Sequence, residues 1–442
     1  MNTIGNLRLR PVHYYILLSS SMEQIIGAAL STLVGIMLPM IQLIVHPGLS
    51  AVMQGVAGAS GLAGIGLGSV VIGSAIDRRG YLLWFRLCPV IIIAGAALVY
   101  FLPSPWMLVA GFFVCGIGVG GGYSLDSAYV SELMPDRWRS FMVGVAKALC
   151  AVGFIGAAVI CYLVLKRDPS PAIWPKLSAI IMAMGVVALL LRIYWVESPD
   201  WLLQQGRTAD ARKAAEHMFG SGVLPNPLPA AEKTLPFSDL FKGENLKRVI
   251  FSGIPWACEG VGVYGIGVFL PVLVMALGLQ SASEHGMPKI ISSVEITAFV
   301  NFFILPGFAA GLWLARRHSH VKLLAWGFIL CAAGLGVLLA AYLLKWPVWV
   351  SLAGFMLFEM CLNGGPHLIT FIIPAQIFPV ANRGAGTGIA SLLGKVGAIA
   401  GVFFMPMLLH AGGMTLVLMV TGATMLLGAA VSIIYGKMLK LM

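Results

Sequence analysis

Apolar residues in this chain come in runs of about twenty or more, broken by short stretches where Arg, Lys, Asp, Pro and Gly collect. Each run is long enough to cross roughly 30 Å of hydrocarbon as a helix. Twelve are predicted, at 13–38, 50–76, 82–102, 106–133, 141–165, 174–196, 248–276, 289–314, 322–344, 347–376, 384–409 and 413–436. Arg8 and Arg10 precede the first run in the manner of a signal peptide, but its roughly 25 apolar residues are too many for one, so it reads as a retained helix. The longest polar interruption, 197–247, falls at the middle.

Composition agrees with the pattern and narrows the class. Of 442 residues 59% are hydrophobic and only 10% charged, against about 25% charged in soluble domains. The chain therefore reads as an all-α integral membrane protein. With the N-terminus in the cytoplasm, the outer loops hold only Lys166, Arg167, Lys176, Lys289 and Lys345 of the 28 basic residues. That bias predicts a multi-pass protein of the cell (inner) membrane with both termini cytoplasmic. The net charge of +11 is then a topology signal, not a sign of nucleic-acid binding. The seven cysteines show no CxxC spacing and lie mostly inside apolar runs, as packing residues do. No metal site or cofactor is expected; His318 and His320 fit a solvated basic loop better than a metal pair.

The two halves repeat. GGYSLDSAYVSELMPDRWRSFMVGV lies on GGPHLITFIIPAQIFPVANRGAGTGI at a constant offset, matching Gly120 with Gly364, Pro135 with Pro379, Arg139 with Arg383 and Gly144 with Gly388. Two parallel six-helix repeats are the architecture of one large transporter class. GSAIDRRGYLLWFR (73–86) resembles the loop signature of the major facilitator superfamily between its second and third helices. VESPDWLLQQGRTADARKA (196–214), SELMPDRWR and QIFPVANRGAGTGIASLLGKVGAIAG resemble segments of its sugar-porter-like and metabolite:proton symporter members. The resemblance implies a twelve-helix secondary transporter working by alternating access, not an enzyme. It divides the chain into a six-helix bundle at 1–196, a cytoplasmic linker with surface helices at 197–247 and a second bundle at 248–442. Asp200, Gln376 and Tyr81 depart from the motifs, and the seventh run lacks the glutamine pair usual in sugar carriers. Sugar is therefore not the first expectation for the substrate.

In the family, inner-surface charges form ion pairs that hold one state and break when the halves rock. That role falls by resemblance on Asp77, Arg78, Glu132 and Arg139, with Arg383 as the repeat-related counterpart facing a neutral Gln376. In the linker, Ser198 is placed to cap a helix that starts at Pro199. Gly260, Gly262 and Gly265 spell a phosphate-loop pattern, but no strand precedes them and they lie inside the seventh run, so close helix packing is the better reading. Gly58, Gly61, Gly64 and Gly68, and Gly394, Gly397 and Gly401, read the same way.

The runs also carry acids. Glu23, in SMEQIIG, lies about 15 Å along the first run at 1.5 Å per residue, near the midplane. Glu259 and Glu359 are similarly placed in the seventh and tenth, and Asp126 lies deeper in the fourth. Charge in hydrocarbon is costly, and such residues mark pathways or coupling sites. The resemblance implies that helices one, four, seven and ten line a central cavity, so all four acids are candidate proton-coupling residues, with Glu23 first. Lys147 and Lys395, in the fifth and eleventh runs, are placed either to pair with acids or to hold a substrate carboxylate. Gln24, Tyr123, Trp256, Tyr264, Asn363 and His367 complete the candidate substrate site, although packing accounts for an aromatic residue there at least as well. Gln24, about 100° round the helix from Glu23, is expected to face a neighbour. His367 follows Pro366, where a helix break is expected, and is either a second proton carrier or a cap for freed carbonyls.

Two functions compete. One is proton-coupled symport of a small polar metabolite, an organic acid or zwitterion. The other is proton-driven export of cationic or amphiphilic compounds, favoured by the surplus of acids. A receptor of carrier shape would need a long cytoplasmic tail, and only about six residues follow the last run. The expected partners are a small-molecule substrate, protons and the lipid bilayer, with no nucleic acid, and the chain is expected to act as a monomer.

Overall fold

A computed structural model describes residues 3–46, 48–226, 237–279, 284–378 and 383–441. Among these the chain is helical, and its one strand-like feature is an isolated pairing of Thr3 with Leu224. The helices are α1 (Pro11–Ser20), α2 (Met22–Ile44), α3 (Ala51–Arg79), α4 (Tyr81–Phe101), α5 (Pro105–Leu133), α6 (Arg139–Ala148), α7 (Cys150–Arg167), α8 (Ala179–Leu191), α9 (Pro199–Gln204) and α10 (Thr208–Phe219). They continue as α11 (Gly243–Gly260), α12 (Gly267–Ala276), α13 (Met287–Phe302), α14 (Ile304–Ala315), α15 (His320–Leu343), α16 (Val348–Gly364), α17 (Pro366–Ile377) and α18 (Arg383–Met438).

Several of these are consecutive pieces of one membrane pass. Eleven described helical stretches are long and apolar enough to cross a bilayer. The last of them, Ala385–Met438, leaves helical geometry at Gly412 and Gly413, the latter at φ 61°. That turn divides it into two passes and brings the number to the expected twelve.

The breaks within passes concentrate where polar residues sit. Ser21, at φ −95° and ψ 1°, separates α1 from α2 two residues before Glu23. Gly365, at φ −117° and ψ −96°, separates α16 from α17 two residues before His367, as Pro366 predicts. Between α11 and α12 the chain winds as a π-helix over Val261–Ile266, directly after Glu259. Single-turn π segments of this kind are enriched at functional sites.

By density of internal contacts the chain forms two compact units. One comprises Met1–Leu30, Ala63–Gly153 and Ser178–Ala231; the other comprises Ser31–Leu62, Phe154–Leu177 and Glu232–Met442. The boundaries fall partway along α2, α3 and α7. In the first unit, Ile16, Leu17, Ile72, Phe85, Tyr129, Leu133 and Trp195 form a continuous buried core. Its N-terminus is tied down by Ile4 N–H donating to the Leu224 carbonyl at 3.1 Å and Gly5 N–H donating to Asn226 Oδ1 at 2.8 Å.

Glycine determines how closely the helices meet. In the second unit, a Cβ on Gly260 would sit 2.7 Å from the Gly394 carbonyl oxygen, and one on Gly401 2.8 Å from Val261 Cα. Real side chains do not approach that closely, so the phosphate-loop pattern in the sequence is the helix-packing face it was expected to be. Gly64 packs in the same way on Phe113 and Gly116 of α5 in the first unit.

Candidate functional site

In the first unit the acids of the first and fourth passes meet a cation. Arg192 follows the last residue of α8 and is completely buried. Its guanidinium grips both oxygens of Glu23: Nη1 donates to Oε1 at 2.6 Å, and Nη2 donates to Oε2. Two further donors go to backbone, with Nη1 on the Phe85 carbonyl and Nη2 on the Ser19 carbonyl, both at 2.9 Å, while the buried Nε has no partner. A fork-to-fork pair of this kind joins opposite charges through two parallel charge-assisted hydrogen bonds, and here both side chains are completely buried.

Asp126 is the third member, with a different standing. Its Oδ1 lies 3.7 Å from Arg192 Nη2, close enough for attraction but not for a hydrogen bond. Neither carboxyl oxygen has a hydrogen-bond partner, and the residue is 2% exposed. Two acids thus share one guanidinium that is already fully engaged by the other acid.

Local structure explains the arrangement. The turn at Ser21 is held by its hydroxyl donating to the Leu17 carbonyl at 2.6 Å, and it sets the start of α2 so that Glu23 leans across α5. Gly122 of α5 leaves the room: a Cβ there would lie 2.6 Å from Glu23 Cδ. An aromatic box supports the guanidinium, whose carbon lies 4.9 Å from the Phe85 ring centroid and 6.0 Å from that of Trp195. Trp195 in turn stacks on Tyr129 at 4.4 Å, and Tyr129 donates to the Val196 carbonyl at 2.9 Å.

The other candidates of this unit lie around it. Gln24 is buried and its Oε1 accepts no hydrogen bond. Tyr123 sets its hydroxyl against Gly27. Lys147 lies half-buried in the last turn of α6.

Of the inner-surface charges, Glu132 lies in the last turn of α5. Its carboxylate accepts the Ser198 hydroxyl at 2.7 Å and the Asp200 backbone N–H at 2.9 Å, so it anchors the start of α9. Arg139 turns to Asp136, three residues before it, at 2.5 Å. The N-terminus of α9 offers Glu132 fixed donors, whereas Arg139 has a carboxylate within its own turn. Ser198 caps α9 as predicted, accepting the Trp201 N–H at 3.0 Å. Glu197 accepts the Tyr81 N–H at 2.7 Å and the Leu82 N–H at 3.2 Å, which caps α4. Burial pushes the Asp200 carboxyl up to about 6, against a smaller opposing pull from Arg139. Arg78 is exposed at the end of α3. The side chains of Asp77 and Arg383 lie outside the described residues.

The second unit gathers the acids of the seventh and tenth passes. Glu259, Glu359, Asn363 and His367 are all buried. Asn363 Nδ2 donates to Glu359 Oε2 at 3.1 Å, and Asn363 Oδ1 meets His367 Nδ1 at 2.8 Å. His367 Nε2 lies 3.7 Å from Glu259 Oε1. Its ring is therefore engaged by side chains of α16 and α11. Lys395 holds its ammonium 5.8 Å from the ring centroid of Tyr264. Trp256 packs on Gly394 and meets Phe371 edge-on at 6.3 Å. Gln376 pairs with His320 at 2.8 Å.

Arg192 is the functional candidate that sequence reasoning missed. It stands in LLLRIYWVESP, at the inner margin of a pass, where a basic residue reads as a topology signal. The available clue was the apolar and aromatic residues on both sides, which give a topology-setting arginine little access to water.

The chain as a whole is similar to known transport proteins. The family described as "Sugar (and other) transporter" matches residues 13–438. The inner membrane metabolite transport protein YgcS of Escherichia coli is 28% identical over 384 residues, covering 87% of this chain and 82% of its own length. The niacin transporter NiaP of Acinetobacter baylyi is 26% identical over 392 residues, covering 85% and 83%. Among solved structures, a partially occluded inward-open xylose transporter XylE from Escherichia coli matches with a TM-score of 0.78 at 16% identity, over 95% of this chain and 97% of that one.

Proposed function

This chain belongs to the sugar (and other) transporter family of the major facilitator superfamily, a family of transport proteins and not of enzymes, and from that premise we propose that it is a proton-coupled symporter of a small polar metabolite. The observation that carries the coupling is the buried Glu23–Arg192–Asp126 cluster. Two carboxylates and one guanidinium leave one negative charge too many for a buried site, and a buried charge without hydrogen bonds neutralises by taking a proton. Glu23 is matched to Arg192 at both oxygens and keeps its charge. Asp126 has the attraction without the hydrogen bonds and is the carboxyl that takes the proton.

Coupling follows from the competition. While Asp126 is protonated, Arg192 stays with Glu23. Loss of that proton creates a second carboxylate 3.7 Å from Nη2, which draws the guanidinium towards α5 and loosens its hold on α1, α2 and α4. One proton thereby selects between two arrangements of the same side chains, as alternating access requires. We place the protein in the cell membrane with both termini cytoplasmic, on the distribution of basic residues.

The substrate reading follows from the polar residues of the second unit. Glu259, Glu359, His367 and Lys395 provide both signs of charge, which suits an organic acid or zwitterion better than a neutral sugar. Relatives named for niacin, glucose and inorganic phosphate supply a probe set. In proteoliposomes, adding nicotinate should drive protons in with the probe, while glucose and phosphate should drive less. Proton movement opposite to the probe would support export instead, and probe uptake without proton movement would refute coupling.

A further inference from the structure

The second unit holds a buried proton site of its own, and its reading rests on the proton-coupled function proposed above. Glu359 and Asn363 stand four residues apart on one face of α16, and His367 meets Asn363 from α17 across the break at Gly365. Asn363 fixes the direction of the chain. Its Nδ2 donates both to Glu359 Oε2 at 3.1 Å and to the Glu359 carbonyl at 2.8 Å, so Oδ1 is the atom turned to His367. An amide oxygen only accepts, so the hydrogen of the 2.8 Å contact sits on His367 Nδ1. In the neutral ring Nε2 then carries no hydrogen, and it lies 3.7 Å from Glu259 Oε1.

A lone pair facing a carboxylate in a buried site repels it. One proton between the two turns repulsion into attraction, whether it rests on Glu259 as the acid or on His367 as the imidazolium. We propose that Glu259 and His367 form a second proton-holding pair, in which one proton is shared between Oε1 and Nε2 while Asn363 and Glu359 hold the ring in the required tautomer.

The surrounding groups fit this assignment. The titratable residues near the pair on the elements packed about it are Cys258 and Tyr264 beside Glu259, Glu359 and Cys361 on α16, and Lys395 on α18. From α14 the ring meets Phe308, with centroids 5.3 Å apart. Both partners also stand beside interruptions of their helices, Glu259 before the π segment and His367 just after Gly365. A shift of α17 against α11 changes the Nε2 to Oε1 distance directly and so decides whether the proton is held.

The test is nitrogen NMR of the full-length, histidine-labelled protein in lipid bilayers, together with a count of protons taken up between about pH 8 and about pH 5, the range in which histidine changes charge. His367→Asn keeps a donor where Nδ1 stood, which preserves the bond to Asn363, and its difference spectrum identifies the His367 signals. The expected result is a neutral ring protonated on Nδ1 whose Nε2 signal changes in Glu259→Gln, with proton uptake lower by one per molecule in either variant. A ring carrying its hydrogen on Nε2, or unchanged uptake in both variants, overturns the proposal. Asp126→Asn separates it from the reading on which it rests. If uptake falls in Asp126→Asn alone, the second pair is refuted and the coupling site stands; if it does not fall there, the coupling reading itself is contradicted.

Discussion

Arg192 ties three helices of the first unit together. It bonds Glu23 of α2, the carbonyl of Ser19 in α1 and the carbonyl of Phe85 in α4, all from a completely buried position. Removing one partner of a buried pair leaves an uncompensated charge and costs about 3–5 kcal/mol. Arg192→Met should therefore lower thermal stability sharply, and a second change of Glu23→Gln should restore part of the loss; thermal unfolding in detergent measures both. The two acids were legible in the sequence because a carboxylate in an apolar run is conspicuous. Their partner was not, because an arginine at the end of a pass is ordinary and only the turn after α8 brings it inward. Asp200 offers a pH test. Its carboxyl, pushed by burial to about 6, favours the folded state when protonated. That contribution is fully present below the usual carboxylate range near 4 and is lost as pH rises through about 6. Thermal unfolding should show wild type losing stability across that window relative to Asp200→Asn, and parallel pH curves would contradict it.

At the level of elements, the breaks in the helices matter more than their lengths. Proline alone does not predict them: Pro39, Pro89 and Pro374 lie inside helices that continue through them. Pro366 coincides with a break because Gly365 before it leaves helical geometry, packed against Gly327. A Cβ at Gly365 would lie 2.8 Å from Gly327 Cα and 3.1 Å from the Cys361 carbonyl oxygen, both of them backbone. Gly365→Ala should cost about 1–3 kcal/mol by overpacking and disturb His367 two residues on; unfolding midpoints, with the His367 nitrogen signals as a second readout, check this. The break at Ser21 carries no proline or run of glycines that would announce it, whereas Pro306 follows the break at Phe303 and Gly260, Gly262, Gly265 and Gly267 surround the π segment. At Ser21 the turn is a tertiary adjustment that sets buried Glu23, and helical periodicity does not record it.

For the molecule as a whole, the alternation of apolar runs and charged gaps was enough to give twelve passes and the membrane setting, and the resemblance of four loop motifs gave the family. It could not give the grouping of charges, because that depends on which helices meet. Each compact unit holds one buried polar cluster: an arginine held by one acid and approached by another in the first, and a histidine facing an acid in the second. The account's central claim is that Asp126 carries the coupled proton while Glu23 is the fixed partner of Arg192. The most direct test compares two transport modes of Asp126→Asn in proteoliposomes with nicotinate as the probe. A permanently neutral residue at 126 should leave exchange of internal for external probe near the wild-type rate and abolish accumulation driven by a proton gradient. Accumulation by Asp126→Asn at the wild-type level would contradict the account.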